Sequence, residues 1–252
     1  MIFQDSREQE IIRSWHSNAA PWSEAIRTSS IASRKLVTDQ AIIDAVASVL
    51  GAASAGPRVL DIGCGEGWLA RALSALGMSV TGVDIVPDLI ARAVASSDSQ
   101  LGNAPCVATS PGSAAFYVQD YASIASRRWP GGRFDAALCN FSLLGGESVD
   151  SLLAALPFYL TEPGYLIIQT LHPVAACAAQ PYQDGWREGN WQGFSGEFSN
   201  PAPWYFRTLE SWTALLERCG FDILECREPK APEAVTASSV IWIGKRRRAA
   251  QT

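Results

Sequence analysis

The feature that most constrains the fold of this chain is a glycine-rich stretch at residues 61–67, which reads DIGCGEG. It follows a short β-branched and apolar run, residues 58–62, which predicts the first strand, and it leads into a helical pattern at 66–76. Glycine has no Cβ, so the backbone of such a turn can come close to a ligand, and a helix start offers unpaired N–H groups. The stretch therefore predicts a ligand site at the carboxyl end of a strand in an α/β sheet.

Strands and helices alternate along most of the chain, which favours a mainly parallel sheet covered by helices on both faces. Further strands are predicted at 79–83, 115–119, 134–139, 164–170, 221–226 and 238–244. Helices are predicted at 7–17, 38–50, 87–95, 148–160 and 209–219. Ser6 is the expected cap of the first helix, and Asn18 to Pro21 are expected to end it. Residues 96–114 are rich in Ser, Gly, Ala and Pro and predict a long loop.

We expect one domain over residues 1–252, because the chain contains no internal repeat and has the length of one large α/β domain. Its expected parts are an N-terminal helical cap (1–50), a cofactor-binding core (58–170), a lid insertion (171–207) and a C-terminal helix and strand pair (208–252).

Composition excludes several classes of function. The formal net charge of -5 and a pI near 5.1 argue against a nucleic-acid partner, whose phosphates favour a basic face. The six cysteines form no CxxC pair, so we expect no bound metal and reduced thiols. The N-terminus lacks the order of a signal peptide, and no apolar run reaches the length that spans a bilayer. We therefore expect a cytoplasmic protein with no membrane partner.

Two acidic residues narrow the chemical class of the ligand that the glycine turn predicts. Asp84 follows the second strand, where a carboxylate can accept both hydroxyls of a ribose, as it also does in nicotinamide enzymes. The dinucleotide fingerprint, however, spaces its glycines as G-x-G-x-x-G, and here the third glycine comes one residue early. Asp61 stands before the first glycine, where a carboxylate suits a ligand that carries an ammonium group and no phosphates.

Residues 59–67, Asp84, Gln119-Asp120 and 134–140 (FDAALCN) together resemble the successive motifs of class I S-adenosylmethionine-dependent methyltransferases. The resemblance is closest to small-molecule enzymes, such as those of ubiquinone biosynthesis and natural-product pathways. It implies a Rossmann-like, doubly wound, seven-stranded, mainly parallel sheet with an antiparallel C-terminal strand. It also implies S-adenosylmethionine as the cofactor, with S-adenosylhomocysteine as its product.

The resemblance also implies a cofactor site, formed by Asp61, Gly63, Cys64, Gly65, Asp84, Ile85, Asp120, Tyr121, Asn140, Phe141 and Arg34. In that site, Asp61 would lie near the methionine amine, Asp84 would bind the ribose, and Asp120 would accept a hydrogen bond from the adenine amino group. Asn140 and Phe141 would line the pocket near the sulfonium, and plain core packing is the alternative for Phe141. Arg34 would hold the cofactor carboxylate, with a solvated charge as the alternative.

The chain contains two histidines, and both are candidates for a general base, which methyl transfer needs when the acceptor is a hydroxyl or a protonated amine. His172 follows the fifth predicted strand at the edge of the sheet where chemistry is expected. His16 lies in the N-terminal helix, a segment that covers the cofactor in related enzymes. The alternatives are a histidine that bonds a loop for His172 and an exposed histidine for His16.

The predicted lid and the N-terminal helix supply the aromatic side chains that typify a pocket for a flat ring. The candidate substrate-binding residues are Trp15, Trp22, Trp186, Trp191, Tyr205 and Arg207. In this interpretation the tryptophans stack on a ring and Arg207 holds an anionic group. The alternative for part of this set is a small satellite core under a long loop.

These features predict methyl transfer to an oxygen or nitrogen of a small, aromatic or heterocyclic metabolite by in-line displacement, with alignment as the main task of the protein. A protein or RNA methyltransferase is the first alternative, although residues 140–143 (NFSL) lack the Asn-Pro-Pro-aromatic signature of enzymes that methylate nucleic-acid bases. A catalytically silent cofactor-binding protein is the second alternative.

Overall fold

The structure is a computed structural model, and it describes residues 5–51, 56–97, 112–194 and 196–248. Most of the long loop predicted at 96–114 lies outside the described residues. Within the described ranges, no helix is both long and apolar enough to cross a membrane.

The strands follow one another through nearly the whole described chain. They are β1 (Arg58–Ile62), β2 (Ser79–Asp84), β3 (Ala114–Val118), β4 (Phe134–Asn140), β5 (Leu160–Leu171), β6 (Gly185–Arg187), β7 (Trp204–Phe206), β8 (Phe221–Arg227) and β9 (Ser239–Arg246). Seven of them form one sheet in the order β3-β2-β1-β4-β5-β9-β8, and β6 and β7 form a separate hairpin. Neighbouring strands from β3 to β5 are parallel, while β9 is antiparallel to both β5 and β8. The predicted fold class is confirmed.

Helices cover both faces of this sheet. They are α1 (Ser6–Arg27), a π-helix (Arg34–Thr38), α2 (Asp39–Leu50), α3 (Trp68–Ala75), α4 (Pro87–Ala95), α5 (Tyr121–Ala125), α6 (Glu147–Tyr159), α7 (Pro173–Cys177) and α8 (Leu209–Arg218). On one face, α5, α6 and α8 pack with Leu60 and Ile62 of β1. On the other face, α2, α3 and α4 pack with Val59, because successive side chains of a strand point to opposite faces. The central strands are therefore buried on both sides, as their apolar sequences require.

The N-terminal helix is longer than the sequence predicts, and its cap is Asp5 rather than Ser6. The expected end at Asn18 to Pro21 is wrong, because α1 continues to Arg27 with Pro21 inside it. Asn18 is fully buried, its amide donates to the carbonyls of Ser14 and Ser199, and its side-chain oxygen accepts the Ser199 N–H at 2.9 Å. A residue that favours turns by bonding its own backbone is here bonded across to the lid, so it supports the helix instead of ending it.

Replacing Asn18 with Leu should therefore weaken the attachment of α1 to the lid. We expect the free energy of unfolding to fall by about 1–3 kcal/mol, since the substitution removes paired hydrogen bonds from a buried position. Chemical denaturation measures this change, and limited proteolysis should show faster cleavage near residue 199. Ser17→Ala, on the exposed side of the same turn, is the control and should change stability by less than about 0.5 kcal/mol. Equal stability of the two variants would contradict the role given to Asn18.

Candidate active site

A cavity of about 220 Å³ opens at the carboxyl ends of β1, β2 and β4, under the N-terminal half of α1. This edge of an open α/β sheet is where ligands bind in such folds. We call it the donor cavity. Its lining includes Glu8, Ile12, Trp15, Trp22, Arg34, Gly63, Cys64, Gly65, Trp68, Asp84, Ile85, Asp120, Tyr121, Asn140, Phe141, Ser142 and Leu144.

The glycine turn comes closest to its neighbours at Gly63, which has a positive φ of 72°. A Cβ built on Gly63 would lie 2.3 Å from the Cβ of Ser142, so a side chain at this position is excluded by both conformation and space. Ser142 is itself fixed, because its hydroxyl donates to the carbonyl of Ile62 at 2.7 Å and its carbonyl accepts the Tyr121 hydroxyl at 3.0 Å. The ends of β1 and β4 are thus held together beside the cavity.

Asp84 fixes the other side of the turn. One carboxylate oxygen accepts the Gly65 N–H and the other accepts the Val86 N–H, each at 2.9 Å. Burial raises the pKa of Asp84, and the two backbone donors act against that rise. An oxygen of a carboxylate has more than one acceptor site, so Asp84 can hold the loop and still accept from a ligand hydroxyl.

Asp61 lies beneath the donor cavity and is only 2% exposed. Its Oδ2 has no hydrogen-bond partner among the described residues. Burial, together with the neighbouring carboxylates of Asp84 and Glu66, raises its pKa to about 7. A buried carboxylate with unfavourable neighbours and a free oxygen is suited to a cation from outside the chain.

Asn140 ends β4 and Phe141 follows it, and both line the donor cavity. Asn140 also has a buried side-chain oxygen that lacks a partner among the described residues. Phe141 has a φ of 55°, which is uncommon for a residue with a side chain, and its N–H donates to the Gln169 carbonyl at 2.8 Å. Strain of this kind persists where surrounding bonds hold it, often at functional sites. Here it directs the chain so that Phe141 contributes to two cavities.

The second cavity, of about 420 Å³, lies between α1, the π-helix and the lid, and we call it the acceptor cavity. Its lining includes Ile31, Ser33, Thr38, Leu143, Thr170, Leu171, Pro173, Trp191, Phe194, Trp204, Tyr205, Phe206, Arg207, Trp212 and Ser238. The two cavities share a wall formed by Trp15, Trp22, Arg34, Phe141 and Leu144. A polar site at the sheet edge therefore adjoins a largely aromatic one.

This arrangement agrees with a comparison of the sequence with known families. The model of a methyltransferase domain matches residues 35–226, which include the glycine turn, Asp84 and Phe141. The chain belongs to the methyltransferase-domain family. The predicted resemblance to methyltransferases is thus confirmed at the level of the family.

Relatives of this methyltransferase include enzymes of known name. It is 30% identical over 126 residues to the ubiquinone biosynthesis O-methyltransferase of Xanthomonas axonopodis pv. citri (strain 306), covering 50% of this chain and 47% of that protein. The enzyme of the same name from Xanthomonas campestris pv. campestris (strain B100) is 31% identical over 125 residues, covering 49% of this chain and 47% of that protein. The chain thus spans about half the length of the curated relatives that it matches.

A solved structure of similar fold is the magnesium protoporphyrin IX methyltransferase of Synechocystis PCC 6803, determined with bound S-adenosylhomocysteine. The TM-score is 0.62 at 20% identity, over 96% of this chain and 100% of that one. An S-adenosylmethionine-dependent methyltransferase from Mesorhizobium loti has a TM-score of 0.59 at 21% identity, over 81% of this chain and 96% of that one. At these identities the likeness shows the fold.

The structure brings most of the predicted cofactor residues of the methyltransferase together. Those in the lining of the donor cavity are Gly63, Cys64, Gly65, Asp84, Ile85, Asp120, Tyr121, Asn140, Phe141 and Arg34. Asp61 lies beneath it, outside the lining. Asp120 also caps α5, because its Oδ1 accepts the Ser123 N–H at 2.8 Å. The short helix α5 is an element that the sequence did not predict.

Arg34 contributes to the walls of both cavities. Its Nε donates to Asp39 at 2.9 Å, and its guanidinium lies 4.5 Å from the ring centroid of Trp68. The side chain is about nine-tenths buried, at 11% exposed. A charge so placed is not a solvated one, which removes the alternative reading of Arg34. Its role toward the cofactor carboxylate stays a prediction.

The predicted substrate residues divide into three groups. Trp15 and Trp22 lie in the shared wall, and Trp191 and Tyr205 lie in the acceptor cavity. Trp186 lies in neither lining; it packs against Tyr205 at 5.5 Å and under the Arg7 guanidinium at 4.6 Å. Trp186 therefore fits the alternative given in the sequence analysis, a small satellite core under the lid, rather than a wall of the substrate cavity.

Arg207 is part of the acceptor lining, and its guanidinium also makes three hydrogen bonds within the protein. Nη1 donates to the Gly145 carbonyl at 2.9 Å, and Nη2 donates to the Gly146 carbonyl and to Asp150. The guanidinium thus fixes the loop before α6, and its face lies 4.7 Å from the Tyr205 ring centroid. The guanidinium therefore shapes the cavity, and its predicted role toward an anionic group stays a prediction.

Neither histidine lies in the lining of either cavity. His172 is 6% exposed, and its Nε2 is 3.5 Å from Glu228, while its neighbours Leu171 and Pro173 reach the acceptor cavity. His16 is exposed on α1, where its charge acts to lower the pKa of Asp84. The structure therefore places the proposed bases beside the site rather than in it.

Glu8 is a lining residue of the donor cavity that sequence reasoning missed. It is 5% exposed, and its carboxylate accepts the N–H groups of Gly146 and Ser148 and the Ser148 hydroxyl. The negative charge lies at the start of α6, where helix N–H groups lack partners. A signal existed, since Glu8 shares a helical face with Ile12 and Trp15, and an acid on an apolar stripe needs a buried partner.

The pKa of Asp61 predicts how stability responds to pH. In the folded protein this pKa is about 7, above the usual value of 3.8, so the folded state holds the proton more tightly than the unfolded chain. The contribution of Asp61 to folding is therefore lost as pH rises from about 4 to about 7. Asp61→Asn removes this titration, so it should raise the melting temperature by about 5–10 °C more at pH 8 than at pH 5.

Thermal melts of the ligand-free protein at the two pH values make this measurement. Asp88→Asn, on the exposed first turn of α4, is the matched control and should change the melting temperature by less than about 1 °C at both pH values. A stabilisation by Asp61→Asn that is the same at pH 5 and pH 8 would refute the pKa assigned to Asp61.

Proposed function

We propose that this methyltransferase transfers a methyl group from S-adenosylmethionine to an oxygen or nitrogen of a small, aromatic or heterocyclic molecule. The observation that carries the proposal is the shared wall. The donor cavity and the acceptor cavity meet at Trp15, Trp22, Arg34, Phe141 and Leu144, so two ligands can approach each other there while each stays in its own cavity.

The residues of the donor cavity fit the cofactor. S-adenosylmethionine supplies a methyl group on a positively charged sulfur, together with an ammonium group, a ribose and an adenine. Asp61 and Asn140 offer buried oxygens that have no partner among the described residues. We assign Asp61 to the ammonium side, Asp84 to the ribose hydroxyls and Asp120 to the adenine amino group, since carboxylates accept from each of these donors.

Positioning is the main task that remains for the protein, because the donor is already activated by its charge. Phe141 and Leu144 separate the two cavities, and the strained backbone at Phe141 is fixed by its bond to Gln169. The tryptophans of α1 close the opposite side at a ring separation of 5.2 Å. Such rigid apolar walls limit the angles at which an acceptor atom meets the methyl group and exclude water from the path.

A small acceptor is favoured over a macromolecule by the apolar lining of the acceptor cavity. Its lining combines α1, the π-helix and the lid, and its side chains are mostly aromatic and aliphatic with few polar groups, as in sites for small ligands. The relatives named above include ubiquinone biosynthesis O-methyltransferases. That name supports a small-molecule acceptor for this chain.

Titration calorimetry tests the cofactor assignment. S-adenosylhomocysteine should bind with a dissociation constant in the micromolar range, and NAD should bind at least about a hundredfold more weakly, because the glycine turn lacks the G-x-G-x-x-G spacing that accommodates a pyrophosphate. Tight binding of NAD, or no binding of S-adenosylhomocysteine, would refute the proposed function.

Asp84→Ala should weaken the binding of S-adenosylhomocysteine at least about tenfold, because the change removes the ribose acceptor and the bond that fixes the Gly65 amide. Asp88→Ala provides a control at an exposed aspartate of α4, and its affinity should stay within about twofold of the unsubstituted protein. If both variants bind equally well, the ribose has been placed wrongly.

A further inference from the structure

The charged side chains that line the acceptor cavity are all positive. Its lining contains the guanidinium groups of Arg34 and Arg207, and among the described residues it contains no Asp, Glu, His or Lys. Asp39 and Asp150, which pair with these arginines, lie outside the lining. The donor cavity differs, because three carboxylates contribute to its lining, those of Glu8, Asp84 and Asp120.

The lining also offers no general base within the described residues. Tyr205 contributes a phenol, a group that as a class carries its proton at neutral pH and donates. The carboxylate of Glu8 lies in the adjoining cavity and already accepts three hydrogen bonds. His172 is buried outside the lining. An acceptor that must lose a proton during the reaction finds no group placed to take it.

The acceptor cavity is also lined by a polar side chain whose hydroxyl has no hydrogen-bond partner among the described residues. Thr38 is 2% exposed, it forms part of the acceptor lining, and its hydroxyl has no hydrogen-bond partner among the described residues. It ends the π-helix that Arg34 begins, and short π-helices occur frequently at functional sites. A buried hydroxyl left unpaired costs free energy, which a polar ligand atom can recover.

From these contacts we infer that the acceptor presents an oxyanion, a carboxylate or an acidic phenolate, on an otherwise apolar ring, and that Thr38 donates a hydrogen bond to it. This inference rests on the proposed function. The C–O bond forms as the S–CH3 bond breaks, the electron pair of the broken bond stays on sulfur, and no proton is released. A cavity without a base and without a carboxylate is consistent with such a nucleophile and unfavourable for an ammonium group.

Four naphthalene compounds with one ring system test this preference by calorimetry on protein saturated with S-adenosylhomocysteine. Two are ionised at neutral pH, 2-naphthoate and 2,4-dinitro-1-naphtholate, and two are neutral, 2-naphthol and 2-naphthylamine. At least one oxyanion should bind about tenfold or more tightly than both neutral compounds, since charge-assisted hydrogen bonds are about twice as strong as neutral ones. Which oxyanion binds more tightly distinguishes a carboxylate acceptor from a phenolate acceptor.

Thr38→Val tests the assigned donor, because it removes the hydroxyl and keeps the shape. Binding of the preferred oxyanion should weaken about five- to tenfold, while the affinity for 2-naphthol should change less than about twofold. Thr28→Val, at an exposed threonine beyond the end of α1, should leave both affinities unchanged. Equal losses for the oxyanion and for 2-naphthol would mean that Thr38 only shapes the cavity, and would overturn its role as the donor.

The outcomes separate this inference from the proposed function. If S-adenosylhomocysteine itself does not bind, the proposed function fails. If it binds and the amine or the naphthol is preferred, or if no naphthalene compound binds up to millimolar concentration, the oxyanion inference fails while the methyltransferase assignment stands.

Discussion

The close approach of Gly63 to Ser142 is the contact on which the site depends. The backbone of the first strand and the turn after β4 lie so near each other that a Cβ on Gly63 would fall 2.3 Å from that of Ser142. Asp84 holds the same turn from the other side through the Gly65 amide. The ends of three parallel strands are thereby held at one edge of the sheet, where one side-chain oxygen each of Asp61 and Asn140 is buried with no hydrogen-bond partner in the described part of the chain. Buried acceptors of this kind destabilise an empty site and favour a ligand that carries donors.

The N-terminal helix turns this ligand site into a pair of cavities. Glu8 anchors α1 to the start of α6, and Asn18 anchors it to the lid near Ser199. Trp15 lies between these anchors and Trp22 lies one turn beyond Asn18, and both line both cavities. One helix therefore contributes side chains to the walls of both cavities.

The sequence predicted the sheet well because its central strands are continuous apolar runs that must be buried on both faces. It predicted the glycine turn and Asp84 because their spacing is local. It did not predict the course of α1, since Asn18 has its partner Ser199 at a separation of 181 residues, and Glu8 has Gly146 at a separation of 138. Arg207 and Trp186 were given to the substrate on composition alone. Their bonds and packing depend on which neighbours the hairpin of β6 and β7 brings to them, and no local pattern specifies those.

The measurement that tests the account most directly follows a labelled methyl group. S-adenosylmethionine with a deuterated methyl would be incubated with the protein and a metabolite extract, and the small-molecule, protein and RNA fractions would be analysed by mass spectrometry. The account predicts that label appears in a small, ring-containing molecule in equal amount to the S-adenosylhomocysteine formed. Label in the protein or RNA fraction, or tight cofactor binding with no transfer to any fraction, would contradict it.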